Sequence, residues 1–354
     1  MIQRGTKEEI FAYLCSTALN QSFLKKVVLR GRSTSLERST QLTGDFVDMA
    51  LTLPDHVEEF YTVYTGETPS GPMEKMLLNC IEYLIEKRRL TPDIKQHREA
   101  ILKQCEFDEY CPKAKPDTKF QNIVAKGAYW WQFVVESSGK IVISDNEMSF
   151  GMGIVDQTKI HPVTAPYFPD ASPPGRDFYY QIPIYFTVEG QACKGLPDIV
   201  VVSHTRKEIH LVDIKTIWET SRTTMFDQIR TNRYIFQSSF YAEALRQKFK
   251  DLIAQGYTVE CKIMFIPKNR KVFNPEIIPV TQKMLDWEKF GGRITGRTYE
   301  NEAPSFLYRS NFPIKGWLDA VRIYQTAVRN NLQAFNLQVN APITGAEAET
   351  LFFV

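Results

Sequence analysis

Residues 192–216 read ACKGLPDIVVVSHTRKEIHLVDIKT, and this stretch decides the fold of the chain. Two short runs of β-branched and aliphatic residues, 199–202 and 209–212, flank a polar segment at 203–208. Such runs on either side of a short polar segment are typical of a β-hairpin. The pattern therefore predicts two antiparallel strands joined by a loop at 204–207.

The register of this hairpin predicts a cluster of charged side chains. A loop at 204–207 sets Asp198 directly opposite Asp213, and opposed side chains lie about 4.5–5.5 Å apart at Cβ. Side chains alternate along a strand, so Lys215 shares the face of Asp213. Val212 and Ile214 point the other way, and we expect them to face the core. Asp198, Asp213 and Lys215 are thus expected to converge.

Two carboxylates this close repel each other, and one retains its proton unless a cation lies between them. Oxygen ligands suit the hard ions Mg²⁺ or Mn²⁺, which keep several waters and bridge to substrate phosphates. Lys215 could then orient or deprotonate an attacking water, or stabilise charge on the phosphate. A D-x-K triplet alone is more typical of an ordinary surface hairpin. The Pro197-Asp198 pair in register and the helix that follows favour a metal-dependent nuclease.

A long helix is predicted over 223–249, downstream of the hairpin. Arg233, Gln237 and Tyr241 recur at every fourth position and form one polar stripe on this helix. Residues at this spacing lie above one another on a helix face. The functional interpretation is a stripe that contacts phosphates and follows a DNA strand to the metal site. The alternative is a solvated face with a half-buried tyrosine.

Together these segments resemble the PD-(D/E)XK nuclease superfamily. More narrowly, the chain is similar to phage and prophage exonucleases of the exonuclease VIII (RecE) and lambda-exonuclease-like type. Those proteins share a Cys-basic-x-x-Pro-Asp strand, a D-[VIL]-K-T strand and an R-Y-x-x-Q-x-x-F-Y helix. The corresponding segments here are CKGLPD at 193–198, DIKT at 213–216 and RYIFQSSFY at 233–241.

The resemblance implies an α/β, restriction-endonuclease-like core with a mixed sheet and an N-terminal helical elaboration. It implies a metal-dependent DNA exonuclease that digests linear double-stranded ends 5′ to 3′ and leaves 3′ single strands for recombination. A homo-oligomeric ring around DNA and a single-strand annealing protein are the implied partners. The same fold also serves endonucleases and structure-specific nucleases, so these stay open. A catalytically idle DNA-binding or assembly protein is the remaining alternative.

The resemblance also assigns roles to residues. Catalysis falls to Asp198, Asp213, Lys215 and Gln237, and DNA contact to Arg233 and Tyr241. The two aspartates and the backbone carbonyl of Ile214 are the implied metal ligands.

An upstream helix is implied to add one more ligand. The segment GDFVDMALTLP at 44–54 resembles the family's G-x-x-x-H-x-x-L-L-x-P helix, in which the histidine binds metal. Asp48 occupies the histidine position here, and carboxylates are good ligands for hard ions. Asp45, about one turn earlier on the same helix, is the rival. Both could also be ordinary acids of a helix surface.

A basic and hydroxyl-rich segment at 25–40 is a candidate phosphate site. Arg32 and Arg38 lie among serines and threonines there, and this mixture suits a terminal 5′ phosphate. A solvated basic loop is the equal alternative. Because the formal net charge is only +2, a DNA footprint must come from local patches of this kind.

Composition agrees with a nuclease of the bacterial cytoplasm. The 354 residues include 43% hydrophobic residues, which are enough for a large core. No apolar run approaches the ~18 residues that span a bilayer, and no signal peptide is recognised, so no membrane partner is expected. The six cysteines lack C-x-x-C spacing and are expected to be free thiols, with Cys193 in the core.

The expected organisation is a helical N-terminal region at 1–165, a nuclease core at 166–300, and a C-terminal helix and tail at 301–354. Periodicity predicts helices and strands throughout the chain. The helices are expected at 7–19, 41–53, 72–87, 121–136, 145–161 and 314–331. The strands are expected at 179–188, 199–203, 209–215, 259–266 and 272–280.

Overall fold

The computed structural model describes residues 1–24, 38–137, 139–218, 220–293, 313–314 and 316–329. These residues form two compact units. The first holds 1–24, 47–54 and the described part of 153–329, and the second holds 38–46 and 55–152. The chain is a mixed α/β protein with a mixed sheet and helices before it, as expected. The domain boundaries predicted at 165 and 300 stay a prediction.

Twelve strands are present in the described part. In chain order they are β1 Ile2–Arg4, β2 Tyr61–Tyr64, β3 Ile141–Ser144, β4 Arg176–Tyr180, β5 Ile184–Val188, β6 Gln191–Gly195, β7 Ile199–Ser203, β8 Glu208–Ile217, β9 Thr258–Pro267, β10 Glu276–Val280, β11 Gly292–Arg293 and β12 Pro313–Ile314.

Twelve α-helices accompany them in the same residues. They are α1 Lys7–Cys15, α2 Arg38–Thr52, α3 Val57–Phe60, α4 Gly71–Glu86, α5 Arg98–Phe107, α6 Pro116–Glu136, α7 Asp145–Ile160, α8 Arg222–Asn232, α9 Tyr234–Lys248, α10 Lys250–Ala254, α11 Gln282–Phe290 and α12 Trp317–Arg329. No helix within the described ranges is long and apolar enough to cross a membrane.

The first unit is built around a six-stranded sheet with the order β1-β4-β7-β8-β9-β10. Strands β7 and β8 form an antiparallel hairpin in which Ser203 lies opposite Glu208. The loop is therefore 204–207, and the predicted register is confirmed. Strand β8 also pairs with β9 in the parallel direction over ten residues, from Glu208 to Ile217. The sheet is thus mixed, and β8 is one of its central strands.

Both faces of β8 are buried, which corrects one expectation. Val212 and Ile214 are buried as predicted, but Leu211, on the opposite face, is also fully buried. Leu211 belongs to the main hydrophobic core together with Phe236 of α9. A central strand that is covered on both sides carries apolar residues on both faces. The carboxylate of Asp213 therefore points towards the helical side of the sheet, into covered space.

Two predicted elements are divided in the structure. The single helix expected at 223–249 is two helices, because Arg233 adopts the left-handed conformation with φ 49° and ψ 51° between α8 and α9. The strand expected at 179–188 is also two elements, β4 and β5. Gln181, directly after β4, has a positive φ of 48° and turns the chain away from the sheet. Non-glycine residues seldom adopt positive φ, so the sequence pattern does not predict that the helix ends at Arg233 or the strand at Gln181.

The second unit packs α4, α5 and α6 beside the parallel pair β2 and β3. Trp130 and Trp131 of α6 are buried in its core, and the indole of Trp131 donates a hydrogen bond of 3.0 Å to the carbonyl of Thr91. The helices predicted at 72–87 and 121–136 are present, with ends displaced by at most five residues. Helix α5 was not expected.

All six cysteines are free thiols, as expected. Cys193 of β6 is 1% exposed and packs in the main core of the first unit.

Candidate active site

The centre of the site is the pair formed by Asp198 and Asp213. Asp198 directly precedes β7 and continues its register, so it lies opposite Asp213 of β8. The backbone N–H of Ile214 donates a hydrogen bond of 2.7 Å to Oδ2 of Asp198 and fixes this carboxylate against β8. Asp198 is 8% exposed and Asp213 only 1%. Two acidic side chains are therefore held close together with little access to water.

Lys215 joins the pair on the same face of β8. Its Nζ lies 2.9 Å from Oδ2 of Asp213 and 5.1 Å from the centroid of the Tyr234 ring. Burial lowers the pKa of the Lys215 ammonium, but the charges of Asp213 and Asp198 outweigh burial and raise it above its ordinary value. Lys215 is consequently a cation in this arrangement.

Gln237 completes the contacts of Asp213. The side-chain amide of Gln237, in the first turn of α9, donates a hydrogen bond of 2.8 Å to Oδ1 of Asp213. Gln237 is itself buried, at 9% exposure. Asp213 thus has a neutral donor on one oxygen and a cation on the other. Asp198, Asp213 and Lys215 converge as expected, and Gln237 joins them.

Gln181 is a member of the site that the sequence pattern did not identify. Its Nε2 donates hydrogen bonds of 3.2 Å to Oδ1 of Asp198 and of 3.2 Å to Oδ2 of Asp48. Its backbone N–H also bonds the carbonyl of Asp198, at 3.1 Å. Asp48 therefore reaches the carboxylate pair through the Gln181 amide. Asp45, by contrast, is exposed. Which of the two helix aspartates is a metal ligand stays a prediction.

The closeness of the two carboxylates has an electrostatic consequence. Burial and the negative charge of Asp213 together raise the pKa of Asp198 to about 7. Lys215 and the Ile214 N–H act in the opposite sense but do not cancel the rise. The site therefore carries an unfavourable concentration of negative charge, which a bound cation would relieve.

The donor set fits a hard divalent ion, since every candidate side-chain ligand is a carboxylate oxygen. Among the residues described, no group of three or more His, Cys, Asp or Glu side chains is assembled closely enough to hold a metal ion. The structure thus brings together Asp198 and Asp213 as a pair, while Asp48 is separated from them by the Gln181 amide. The roles of the carboxylates and of the Ile214 carbonyl as ligands, and Mg²⁺ or Mn²⁺ as the ion, stay predictions.

The predicted polar stripe of Arg233, Gln237 and Tyr241 is buried, so it is not the solvated face of the alternative. Arg233 and Tyr241 are 9% and 5% exposed. The guanidinium of Arg233 forms a buried ion pair with Glu288 of α11. Arg233 lies between α8 and α9 in the left-handed conformation, and its side chain contacts Glu288 of α11. Contact of either residue with DNA stays a prediction, without an exposed surface to support it.

Tyr241 instead packs against the segment that carries Asp198. A Cβ on Gly195 would lie 3.0 Å from a Tyr241 ring carbon, so the glycine permits this close approach. Burial raises the pKa of the Tyr241 phenol well above its ordinary value. Gly195 and Tyr241 therefore position the chain immediately before Pro197-Asp198.

The basic residue of the same segment also has a structural contact. Lys194 is 4% exposed, and its Nζ donates hydrogen bonds to the carbonyls of Ser16 at 2.7 Å and Leu14 at 3.4 Å, and to that of Tyr13. These carbonyls lie at the C-terminus of α1, where backbone oxygens lack partners within the helix and cations are favourable. Lys194 thus anchors β6 to α1.

The proposed 5′-phosphate residues are not placed by the structure. Arg32 lies outside the described residues, and of Arg38 only the backbone, at the start of α2, is described. Their binding of a terminal phosphate stays a prediction.

No family model matches this sequence, and no curated protein matches it. A crystal structure of a "Putative exonuclease" from Eubacterium rectale is similar to the chain. Sequence identity is 13%, the alignment covers 79% of this chain and 79% of that chain, and the TM-score is 0.37. A similarity at this level carries no argument about the site, which depends on its own geometry.

Proposed function

We propose that this chain is a metal-dependent nuclease of the PD-(D/E)XK type that hydrolyses DNA phosphodiester bonds. One observation supports this proposal above all others. Asp198 and Asp213 are buried opposite each other, and Lys215 lies 2.9 Å from Asp213 on the same face. An ordinary surface hairpin does not bury two aspartates beside a lysine, because unpaired buried charge is costly.

Each residue has a chemical role in this proposal. A divalent ion bound by Asp198, Asp213 and Asp48, with the Ile214 carbonyl, would supply positive charge at the phosphate undergoing attack. Lys215 remains protonated, which suits orientation of the attacking water and stabilisation of negative charge rather than removal of a proton. Gln237 and Gln181 hold the carboxylates at fixed positions through their amide hydrogen bonds.

The finer proposal is a 5′-to-3′ exonuclease of linear double-stranded DNA that leaves 3′ single strands for recombination. This proposal derives from the resemblance to exonuclease VIII (RecE) and lambda-exonuclease-like proteins. The same resemblance is the basis for proposing a homo-oligomeric ring, a single-strand annealing partner and a location in the bacterial cytoplasm. A ring that threads DNA requires a free end, and Arg32 and Arg38 would bind the 5′ phosphate.

The test compares linear and covalently closed circular duplexes in the presence of Mg²⁺. We expect the linear duplex to be degraded to mononucleotides, faster when it is 5′-phosphorylated, while the closed circle stays intact. Efficient cutting of closed circles would replace the exonuclease proposal with the endonuclease alternative. Binding of both duplexes without cleavage under any divalent ion would favour the idle DNA-binding protein.

The proposed binding of the 5′ phosphate by Arg32 and Arg38 is tested with separate variants. Arg32→Ala and Arg38→Ala should reduce the preference for phosphorylated ends and leave cleavage of unphosphorylated ends unchanged. Lys250→Ala, an exposed cation of α10, is the matched variant and should leave both rates unchanged.

A further inference from the structure

A cavity of about 240 Å³ lies in the first unit, against the sheet face opposite the carboxylate pair. Its floor includes Val201 of β7 and His210 of β8, which are paired across the hairpin. His210 and Asp213 are three residues apart on one strand, so their side chains point to opposite faces. The cavity is therefore separate from the candidate active site.

The polar lining of this cavity is dominated by cations. Arg176 of β4, Arg206 of the hairpin loop and Lys262 of β9 all contribute to it. None of the three is paired with a carboxylate in the described part of the chain. The Nζ of Lys262 lies 3.4 Å from the hydroxyl oxygen of Tyr167 and 6.0 Å from the centroid of its ring. Three positive charges thus line one cavity, and none of them forms an ion pair with a described carboxylate.

His210 also lines the cavity. Its Nε2 lies 2.9 Å from Oε2 of Glu208, so that carboxylate is already engaged. Its Nδ1 is buried and has no hydrogen-bond partner within the described residues. A buried polar atom without a partner costs about 1–3 kcal/mol, and native structures usually satisfy such atoms. Burial and the charge of Lys262 lower the pKa of His210, which keeps the ring neutral while the cavity is empty.

The remaining wall is apolar and aromatic. Val163, Pro166 and Tyr167, from the segment after α7, line it together with Ile277 of β10. The cavity exceeds by several-fold the ~30 Å³ share of one water, but it falls below the ~300–1,000 Å³ of sites for drug-sized molecules. Its size and its apolar wall suit a small organic molecule that carries an anionic group.

We propose that this cavity binds a small phosphorylated molecule, with the phosphate among Arg176, Arg206 and Lys262 and the organic part against Tyr167. Phosphate is the anion that fits this site best. Arginine pairs with phosphate through two parallel hydrogen bonds, and the double negative charge of phosphate interacts favourably with several cations. The site does not depend on the nuclease function.

Calorimetry of the metal-free full chain in EDTA at pH 7 tests this assignment. The probes are inorganic phosphate and deoxyadenosine 5′-monophosphate. We expect saturable binding of both, at least tenfold tighter for the nucleotide, because only the nucleotide contacts the apolar wall. Arg206→Ala and Lys262→Met should each weaken binding of both probes at least tenfold. Lys250→Ala should stay within twofold of the wild type.

Two further variants keep the result interpretable. Arg206 is exposed in the hairpin loop, so its replacement leaves folding intact even if Lys262→Met is unstable. Lys215→Met alters the candidate active site on the other face, and it should bind both probes like the wild type. Loss of binding in this variant would place the ligand at the active site and overturn the proposal.

Three other outcomes would also overturn it. These are dissociation constants weaker than about 1 mM for both probes, equal affinity for phosphate and nucleotide, and unchanged binding in Arg206→Ala. Because no divalent ion and no cleavage enter the measurement, an inactive protein could still bind the probes, and an active nuclease could fail to do so.

Discussion

The side-chain amide of Gln237 lies 2.8 Å from Oδ1 of Asp213 and connects the first turn of α9 to the middle of β8. The other oxygen of Asp213 lies 2.9 Å from Lys215 Nζ. Asp213 is therefore oriented from two sides by residues of different elements. A side chain held in this way is suited to chemistry that tolerates little positional error.

The first prediction concerns Asp213 and Lys215. Asp213→Asn and Lys215→Ala should each reduce Mg²⁺-dependent DNA cleavage by about 10³-fold or more, because they remove charge at the reacting centre. DNA binding, measured by fluorescence anisotropy in Ca²⁺, should change less than about threefold. Lys250→Ala serves as the control. Near-normal cleavage by either variant would show that the active site lies elsewhere.

A second prediction concerns the amide that links two acidic residues. Gln181→Leu removes both hydrogen bonds of 3.2 Å, to Asp198 and Asp48, and should weaken Mn²⁺ binding about 10- to 100-fold, as loss of ligand-orienting contacts commonly does. Calorimetry with MnCl₂ provides the measurement. Asp48→Ala should have a comparable effect and Asp45→Ala none. The reverse order of the two aspartate variants would transfer the ligand role to Asp45.

The third prediction follows from the pKa of Asp198, which is raised to about 7 in the folded chain. The unfolded value is about 3.9, so folding favours the protonated form. The resulting stabilisation is complete below about pH 4 and is lost as the pH rises through 7. Asp198→Asn should therefore gain stability relative to the metal-free wild type as the pH rises from 5 to 8, by up to ~3 kcal/mol.

Urea unfolding in EDTA at each pH measures this difference. Saturating Mn²⁺ should reverse it, because the ion stabilises two ionised carboxylates in the wild type and loses a ligand in Asp198→Asn. A difference in free energy of unfolding that does not change with pH would contradict the electrostatic account of the carboxylate pair.

The fourth prediction separates a structural from a DNA-binding role for Arg233. Arg233→Met removes the buried ion pair with Glu288, and should cost about 3–5 kcal/mol of stability. The double variant Arg233→Met, Glu288→Leu should recover most of this loss, since two apolar side chains replace the pair. Thermal unfolding gives the comparison. A stable single variant with weakened DNA affinity would instead support direct contact with DNA.

The hairpin and its carboxylate pair could be predicted because their signals are local. A four-residue loop and two alternating strands determine which residue lies opposite which, and Asp198 and Asp213 follow from that register. The helices of the second unit were predictable for a similar reason. Their apolar residues, such as Met76 and Ile81 of α4, recur at helical spacing and are buried.

The breaks in the chain could not be predicted in the same way. Arg233 and Gln181 both adopt positive φ, a conformation that sequence patterns assign to glycine or asparagine. Tertiary contacts outweigh the backbone preference at both positions. The ion pair with Glu288 holds Arg233, and the bonds to Asp198 hold Gln181. The burial of Arg233 and Tyr241 could not be predicted either. The spacing of residues on a helix does not show which neighbouring element covers that face of the helix.

The hydrogen bonds around the carboxylate pair join residues at very different separations along the chain, and this difference implies an order of assembly. Ile214 and Asp198 are 16 residues apart, whereas the Gln181 bond to Asp48 joins residues 133 apart. Loop-closure entropy grows by about 0.6 kcal/mol per doubling of length, so the distant contact costs roughly 2 kcal/mol more to close. During folding, the hairpin can therefore place its two acids together before Asp48 arrives. If the two acids bind a divalent ion as proposed, the ion can bind at the hairpin before Asp48 joins the site.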